Sequence, residues 1–389
     1  MKKVVFCIGS RANYASIKSA IQASLHDSRL DVRILTYASA VSARYGDLER
    51  QIISDGFRID TKIESLLEGS SPRSMAESTG LGTLKIASAL ESHAPDYVVT
   101  VGDRYETMSV AIASSYMNIK LVHTMGGELS GSIDELIRHA ISKLAHIHFP
   151  ATEEARRVLL QLGEDDSRIF RVGCPRIDLA LNALDLDDKV LENVCNDYGV
   201  GDTLDFQKPF AMLVQHPVTT EFDEIQRQIH PTLMAISNTD IPLLVLWPNS
   251  DAGSDFISTS LRRWGQKIHQ RPVHFVRNLP PEIYLKLLSK TSCLIGNSSS
   301  GIREGAFLGT PVVNIGSRQS NREHSSNVDF VENVESKIEI AINKQIKHGP
   351  YNPSNLYGDG TAGRKIAKIL AELEDVEIQK KFLRLKRVD

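Results

Sequence analysis

Short apolar runs that end in glycine or a polar cluster, each followed by a helical pattern, recur along the whole chain. In the first half they are Val4–Ile8, Val32–Tyr37, Tyr97–Val101 and Leu121–His123. In the second they are Phe210–Val214, Leu243–Trp247, Val273–Val276, Cys293–Ile295 and Val312–Ile315. Runs without polar alternation suit strands buried on both faces, and the βαβα order predicts parallel, doubly wound sheets. At 389 residues the chain exceeds one typical domain, so two cores are expected. The polar, acidic stretch Leu184–Gln207 reads as the crossing between them, giving domains 1–182 and 183–361. A basic helical region from about Ala362 to Val388 has no evident site and reads as packing.

Doubly wound sheets carry ligands beyond the carboxyl ends of their strands, so those loops hold the candidates. The run Leu294-Ile295-Gly296-Asn297-Ser298-Ser299-Ser300-Gly301-Ile302-Arg303-Glu304 passes from strand through small hydroxyl residues into a helix pattern at Ile302. Such a turn can hold an anion with backbone N–H groups, the helix dipole and the Ser298 and Ser299 hydroxyls. Glu304, one turn into the helix, is too far in for phosphate and is placed for ribose hydroxyls. A nucleotide diphosphate is one reading and an ordinary capped turn the other. Arg11, in Gly9-Ser10-Arg11-Ala12-Asn13, can fork onto a diphosphate, although this single-glycine loop is not the dinucleotide fingerprint.

Three carboxylates follow adjacent strand ends of the first half: Asp103 in Gly102-Asp103-Arg104, Glu128 in Gly126-Gly127-Glu128, and Asp134 in Ile133-Asp134-Glu135. Clustered carboxylates repel, and one keeps a raised pKa suited to acid/base work. Asp134 also suits a helix cap. In the second half His216 and the hydroxyls of Thr219 and Thr220 end one strand, and Asn249 and Arg318 follow two others. His146 and His148 would share a strand face, but no third ligand is spaced for a metal. Nucleotide on the second domain and chemistry on the first is the division these residues suggest, and an acid/base reaction on a sugar nucleotide fits it. Glycosyl transfer and epimerisation are not separable on these grounds.

A net charge of −3 lacks the basic excess of a nucleic-acid binder. No run reaches membrane-spanning length, and the apolar start is too short for a secretory signal, so a soluble cytoplasmic protein is expected. Cys7, Cys174, Cys195 and Cys293 have no paired spacing for zinc or a disulfide framework. Neither a cofactor nor a metal is called for.

The blocks Gly9–Ala12, Gly102–Arg104, Gly126–Glu128, Ile133-Asp134 with Arg138–Ile141, Gln215–Thr220, Pro248–Gly253, Gly296–Ser299 and Gly316–Gln319 appear in order. In them the chain resembles the UDP-N-acetylglucosamine 2-epimerases, especially the hydrolysing branch that feeds sialic-type nonulosonic acid synthesis. The resemblance implies a GT-B-type fold, with two Rossmann-like domains and the last helix packing back on the first. It implies removal of the C-2 proton as UDP leaves C-1, a 2-acetamidoglucal intermediate, then hydration to a free N-acetylmannosamine-type sugar and UDP. By position it makes Asp103 and Asp134 the acid/base groups and has His216 stabilise the departing diphosphate. Arg11, Arg104, Asn249, Ser298, Ser299, Glu304 and Arg318 would hold UDP, with Glu304 on the ribose. A homodimer or homotetramer is the family tendency.

Two positions depart from that pattern. Relatives usually carry a catalytic glutamate where Met125 stands, so either Glu128 takes the role or the mechanism is redistributed. Relatives often have aspartate where Asn13 stands, and the asparagine removes a charge near the sugar end. Both departures point to UDP-2,4-diacetamido-2,4,6-trideoxyglucose, the legionaminic acid precursor, as an alternative to UDP-N-acetylglucosamine. Rival readings are a non-hydrolysing 2-epimerase, a GT-B glycosyltransferase and a non-catalytic UDP-sugar-binding protein.

Overall fold

The computed structural model describes residues 1–389 except 70, 250, 269, 278, 375, 382 and 384–389, and leaves out the side chains of 192 and 194–196. Ser250, Cys195 and the end of the basic region to Val388 therefore lie outside the description. Two sheets organise the rest. The first contains β1 (Lys2–Ile8), β2 (Leu30–Tyr37), β3 (Thr61–Ile63), β4 (Tyr97–Val101), β5 (Lys120–Thr124) and β6 (Ile147–Phe149), in the order β3-β2-β1-β4-β5-β6. Every pairing in it is parallel. The second contains β7 (Gly199–Gly201), β8 (Ala211–Val214), β9 (Leu243–Leu246), β10 (Val273–Val276), β11 (Cys293–Gly296), β12 (Val312–Ile315) and β13 (Val328–Val331). Its order is β13-β12-β11-β8-β9-β10-β7.

The first strand order reverses between β1 and β4, and the parallel part of the second between β8 and β11. Chain entering a sheet at such a switch point diverges to opposite sides, which opens a crevice at the strand ends. The loops after β1, β4, β8 and β11 are therefore the ones that fold topology turns towards a ligand. Alternate residues of the apolar strands feed opposite faces. Val4, Phe6 and Ile8 join the cluster under the terminal helix, whereas Val5 and Cys7 join the cluster under the helices 72–93 and 105–116.

One expectation needs correction. The second sheet is mixed, because β7 runs antiparallel to β10. The stretch Leu184–Gln207 follows the helix Pro175–Leu184 and holds a second helix, Lys189–Tyr198, which runs into that strand. The edge of the first sheet is β6, with one bridge from His148 to Ile169.

The helix Ala362–Glu372 returns to pack on Lys18–Leu25 of the first domain. Asp178 caps it from another element, its carboxylate accepting from the N–H groups of Ala362 at 3.0 Å and Gly363 at 2.7 Å. Lys2 Nζ closes the other end on Ala371 O at 2.8 Å, a cation against the helix's negative pole. Among the described residues no helix is long and apolar enough to cross a membrane.

Candidate active site

A cavity of about 450 Å³ lies between the two sheets. Nine of the eleven candidates line it: Arg11, Asp103, Arg104 and Asp134 from one side, His216, Asn249, Ser298, Ser299 and Arg318 from the other. The domains also touch directly across it. Arg11 Nη1 donates to Arg277 O at 3.1 Å, Lys18 Nζ pairs with Glu282 at 2.5 Å, and Gly131 N donates to Arg318 O at 3.2 Å. A Cβ at Gly131 would lie 1.8 Å from Ser317 O, so that approach requires glycine.

The loop that ends β11 is sharper than its sequence suggests. Gly296 has φ 129°, and a Cβ there would meet Val214 O at 2.1 Å. The helix pattern read from Ile302 is two short helices, Ser299–Ile302 and Glu304–Leu308, broken at Arg303. Ser298 caps the first. Its hydroxyl lies 2.8 Å from that of Ser300, which meets Tyr284 OH at 2.5 Å. Asn297, 2% exposed, locks this loop to the neighbouring one: Oδ1 accepts from His216 N at 2.7 Å, and Nδ2 donates to His216 O at 2.9 Å.

That clamp fixes the backbone of His216, and Asn249 fixes its ring. Asn249 N donates to His216 Nδ1 at 3.2 Å. An Nδ1 that accepts leaves the proton on Nε2, so the ring is a hydrogen-bond donor at its free edge. Burial, then the charge of Arg318, pushes its pKa down to about 3. The imidazole is therefore neutral through the physiological range.

Asp134 lies in the first turn of the helix Ile133–Leu144, whose N-cap is Ser132. Burial and the adjacent Asp103 charge push its pKa up to about 6. Asp103 shifts the other way. Burial alone would raise it, but Arg138, Arg322 and Arg303 outweigh that and hold it well below the usual carboxylate range. Arg138 is fully buried, and its Nε donates to Asp103 Oδ2 at 3.0 Å. It comes from the same helix as Asp134, four residues on. Two like charges side by side with opposite shifts are a standard division into a permanent anion and a proton carrier.

Glu128 and Glu304 do not reach the cavity. Glu128 is 5% exposed and its Oε2 accepts from Arg303 Nη2 at 2.6 Å and Nε at 3.2 Å, with Arg322 Nη1 also bound. Burial favours its neutral form, but these guanidiniums and Arg138 prevail and lower its pKa. A carboxylate so held is a poor proton carrier, which removes the geometric basis for Glu128 replacing a glutamate at Met125. Glu304 is fully buried against Arg176, which itself lines the cavity. In this arrangement the carboxylate faces Arg176.

Met125 does line the cavity. It is 3% exposed, with φ 64°, a left-handed conformation uncommon for a non-glycine residue. Its sulfur lies 3.9 Å from Cys174 Sγ, in an apolar cluster with Val101, Ile177, Ile302 and Tyr357. Asn13 also lines the cavity, and both ends of its amide are used. Oδ1 accepts from Gly9 N and Nδ2 donates to Val101 O, each at 3.2 Å.

Sequence reasoning gave no role to Asp251, Arg138, Asn297, Arg303 or Arg322. Asp251 is 5% exposed and accepts from Asn249 Nδ2 at 2.5 Å. It pairs with Arg104 Nη1 at 2.8 Å, while Arg104 Nε reaches Glu106 at 2.6 Å. Arg138 was within reach of the sequence, being one turn after Asp134 on a helix. Arg303 and Arg322 were not, since their partner lies 175 and 194 residues away.

Residues 22–371 match the UDP-N-acetylglucosamine 2-epimerase family. Among curated proteins the chain is similar to a UDP-N,N'-diacetylbacillosamine 2-epimerase (hydrolyzing) of Legionella pneumophila, 34% identical over 95% of this chain and 96% of that one. It is also similar to a GDP/UDP-N,N'-diacetylbacillosamine 2-epimerase (hydrolyzing) of Campylobacter jejuni, 31% identical over 89% of each. Among solved structures, the UDP-GlcNAc 2-epimerase of Methanocaldococcus jannaschii in complex with UDP-GlcNAc and UDP aligns with TM-score 0.79. That alignment has 18% identity and covers 95% of this chain and 99% of that one, which fixes the fold as GT-B. The chain belongs to the UDP-N-acetylglucosamine 2-epimerase family.

Proposed function

We propose that the protein is a hydrolysing UDP-sugar 2-epimerase. The observation that carries this reading is the opposed behaviour of Asp103 and Asp134 in a cleft whose other wall presents a neutral, Nε2-protonated His216. Asp134, ionised near neutral pH yet basic for a carboxylate, takes the C-2 proton of the sugar. The C-1–oxygen bond breaks as the C-1–C-2 double bond forms, and UDP leaves with both bonding electrons. His216 Nε2–H, Arg11, Arg318, Ser298 and Ser299 face the departing diphosphate. Water then adds across the double bond, oxygen to C-1 and a proton to C-2 on the opposite face, giving a free manno-configured sugar. Asp103 stays anionic on Arg138 and keeps Asp134 basic.

For the substrate, UDP-2,4-diacetamido-2,4,6-trideoxyglucose, which is UDP-N,N'-diacetylbacillosamine, has the better support. It is the sugar named in the Legionella and Campylobacter relatives. The Met125 cluster offers apolar surface to a 6-deoxy carbon. UDP-N-acetylglucosamine is the second reading, favoured by the family's own substrate. Either product would enter nonulosonic acid synthesis, and a homodimer or homotetramer is the assembly we expect. Incubation with each UDP-sugar in deuterated water, followed by NMR, tests the reading. Free sugar with deuterium at C-2, together with UDP, is expected. UDP-sugar returned with inverted C-2 would instead mean a non-hydrolysing enzyme, and UDP binding without turnover would sink the enzymatic reading.

A further inference from the structure

Arg318 stands between two carboxylates and is hydrogen-bonded to neither. Its Nη2 lies 3.5 Å from Asp134 Oδ2 and 3.6 Å from Asp251 Oδ2. Hydrogen bonds to carboxylates close to about 2.7–2.9 Å, so both ion pairs are slack. The neighbouring Arg104 contrasts with it, seated on Asp251 at 2.8 Å and Glu106 at 2.6 Å. Arg318 and Asp134 both line the cavity, whereas Asp251 lies behind the wall.

We propose that Arg318 couples arrival of the diphosphate to the basicity of Asp134. The inference rests on the cleft being a UDP-sugar site. In the free enzyme the guanidinium neutralises Asp134 and keeps it a carboxylate, loaded as the base. A diphosphate carries more charge than one carboxylate and offers several oxygens to a planar fork, so it draws Arg318 from a partner that never closed on it. The other charged groups facing Asp134 are Asp103 and Arg104 from the loop after β4 and Asp251 from the second domain. Asp103 and Asp251 favour the protonated form, and Arg104 is held on Glu106 and Asp251. Once Arg318 turns to phosphate, Asp134 faces a surplus of negative charge and its affinity for the C-2 proton rises. The base strengthens only when there is a proton to take.

Calorimetric titration with UDP near pH 6, in two buffers of different ionisation heat, counts protons taken up on binding. Asp134→Asn is the reference that subtracts UDP's own ionisation. Wild type is expected to take up a fraction of a proton more than Asp134→Asn, and Arg318→Met to lose that excess. Should Arg318→Met not fold, Arg318→Lys is expected to show the same loss, because one ammonium cannot span both carboxylates and a phosphate. In turnover, the apparent pKa from kcat is expected to lie about one unit above that from kcat/KM in wild type, and the two to coincide in the Arg318 variants. No Asp134-dependent uptake in a wild type that binds UDP would overturn the coupling. Full uptake in the Arg318 variants would too, since the dianion would then be acting alone. A wild type that fails to bind UDP would overturn the nucleotide reading itself, a separate result.

Discussion

Arg138 Nε donates to Asp103 Oδ2 at 3.0 Å from the helix whose first turn carries Asp134. One helix thus delivers the proton carrier and the cation that denies its neighbour the same role. Arg138 is fully buried, and Asp103 is its carboxylate partner. Asp103→Asn leaves that guanidinium under-compensated, a change that costs about 3 kcal/mol when one partner of a buried pair is lost. The variant is expected to lose turnover and to melt lower, with UDP affinity within several-fold of wild type. Loss of turnover and UDP binding together would indicate a collapsed cleft.

Asp134 sets the acid limb of the pH profile. A base must be deprotonated to act, and this carboxyl is pushed up to about 6. Log kcat/KM should rise with pH up to about 6 and level above it. His216, pushed down to about 3, contributes no limb in that range. Asp134→Asn should reduce kcat by about a thousandfold or more, within the usual span of general-base contributions. A limb that survives in Asp134→Asn would assign it to another group.

Glu128→Gln separates a buried counter-ion from a catalyst. Removing its charge leaves Arg303 and Arg322 facing each other without an anion. Stability should fall by about 3 kcal/mol, as for other broken buried pairs. The acid limb near pH 6 should stay in place, because the carboxylate does not touch the cavity. Its disappearance would restore Glu128 as the proton carrier.

What the sequence made legible was what local pattern controls. The buried strands and the loops at the two switch points follow from apolar runs and the residues that end them; six of the nine cavity candidates came from those loops, and Asp134, Asn249 and Arg318 from the loops after β5, β9 and β12. Strands made by pairing were invisible. Gly199–Gly201 is a strand only because β10 lies beside it, and Val328–Val331 is a half-exposed edge. Glu128 and Glu304 were placed on the right loops, but a loop position does not say which way a side chain turns. Their direction is set by Arg303, Arg322 and Arg176, which arrive from elsewhere in the chain. Asn13, read as a lost charge near the sugar, is a bridge between strand ends.

That bridge gives a prediction about Asn13→Asp. Gly9 N can only donate and Val101 O can only accept, so the position needs one acceptor and one donor on the same planar group. An aspartate keeps the first bond and sets a carboxylate against the Val101 carbonyl. The variant should lose about 1–3 kcal/mol, the usual cost of an unsatisfied buried group, and gain no activity. Equal stability with higher turnover would revive the lost-charge reading.

His123 ties the strand ends to the catalytic helix and makes stability depend on pH. It is fully buried, with Nε2 2.7 Å from Gly102 O and Nδ1 3.1 Å from Ser142 Oγ. The carbonyl can only accept, so Nε2 carries the proton and Nδ1 accepts from the serine: a neutral ring. Burial pushes its pKa down to about 3, against 6.5 ordinarily. Between those values the unfolded chain binds a proton that the native ring refuses, so stability is lost as pH falls below 6.5. The loss approaches about 1.4 kcal/mol for each pH unit. Asp134, raised to about 6, works in the opposite sense, since its native form holds a proton the unfolded chain releases above pH 4. The slope of the wild type is therefore a sum, and the difference between wild type and His123→Gln isolates the histidine. Urea melts at pH 7.5, 6.5 and 5.5 should find the variant less stable at pH 7.5 and the gap narrowing mainly between pH 6.5 and 5.5. A gap independent of pH would mean that the native ring takes up its proton as readily as the unfolded one, and a gap that widens as pH falls would mean that His123 is protonated in the native protein, with the hydrogen bond to Ser142 reversed.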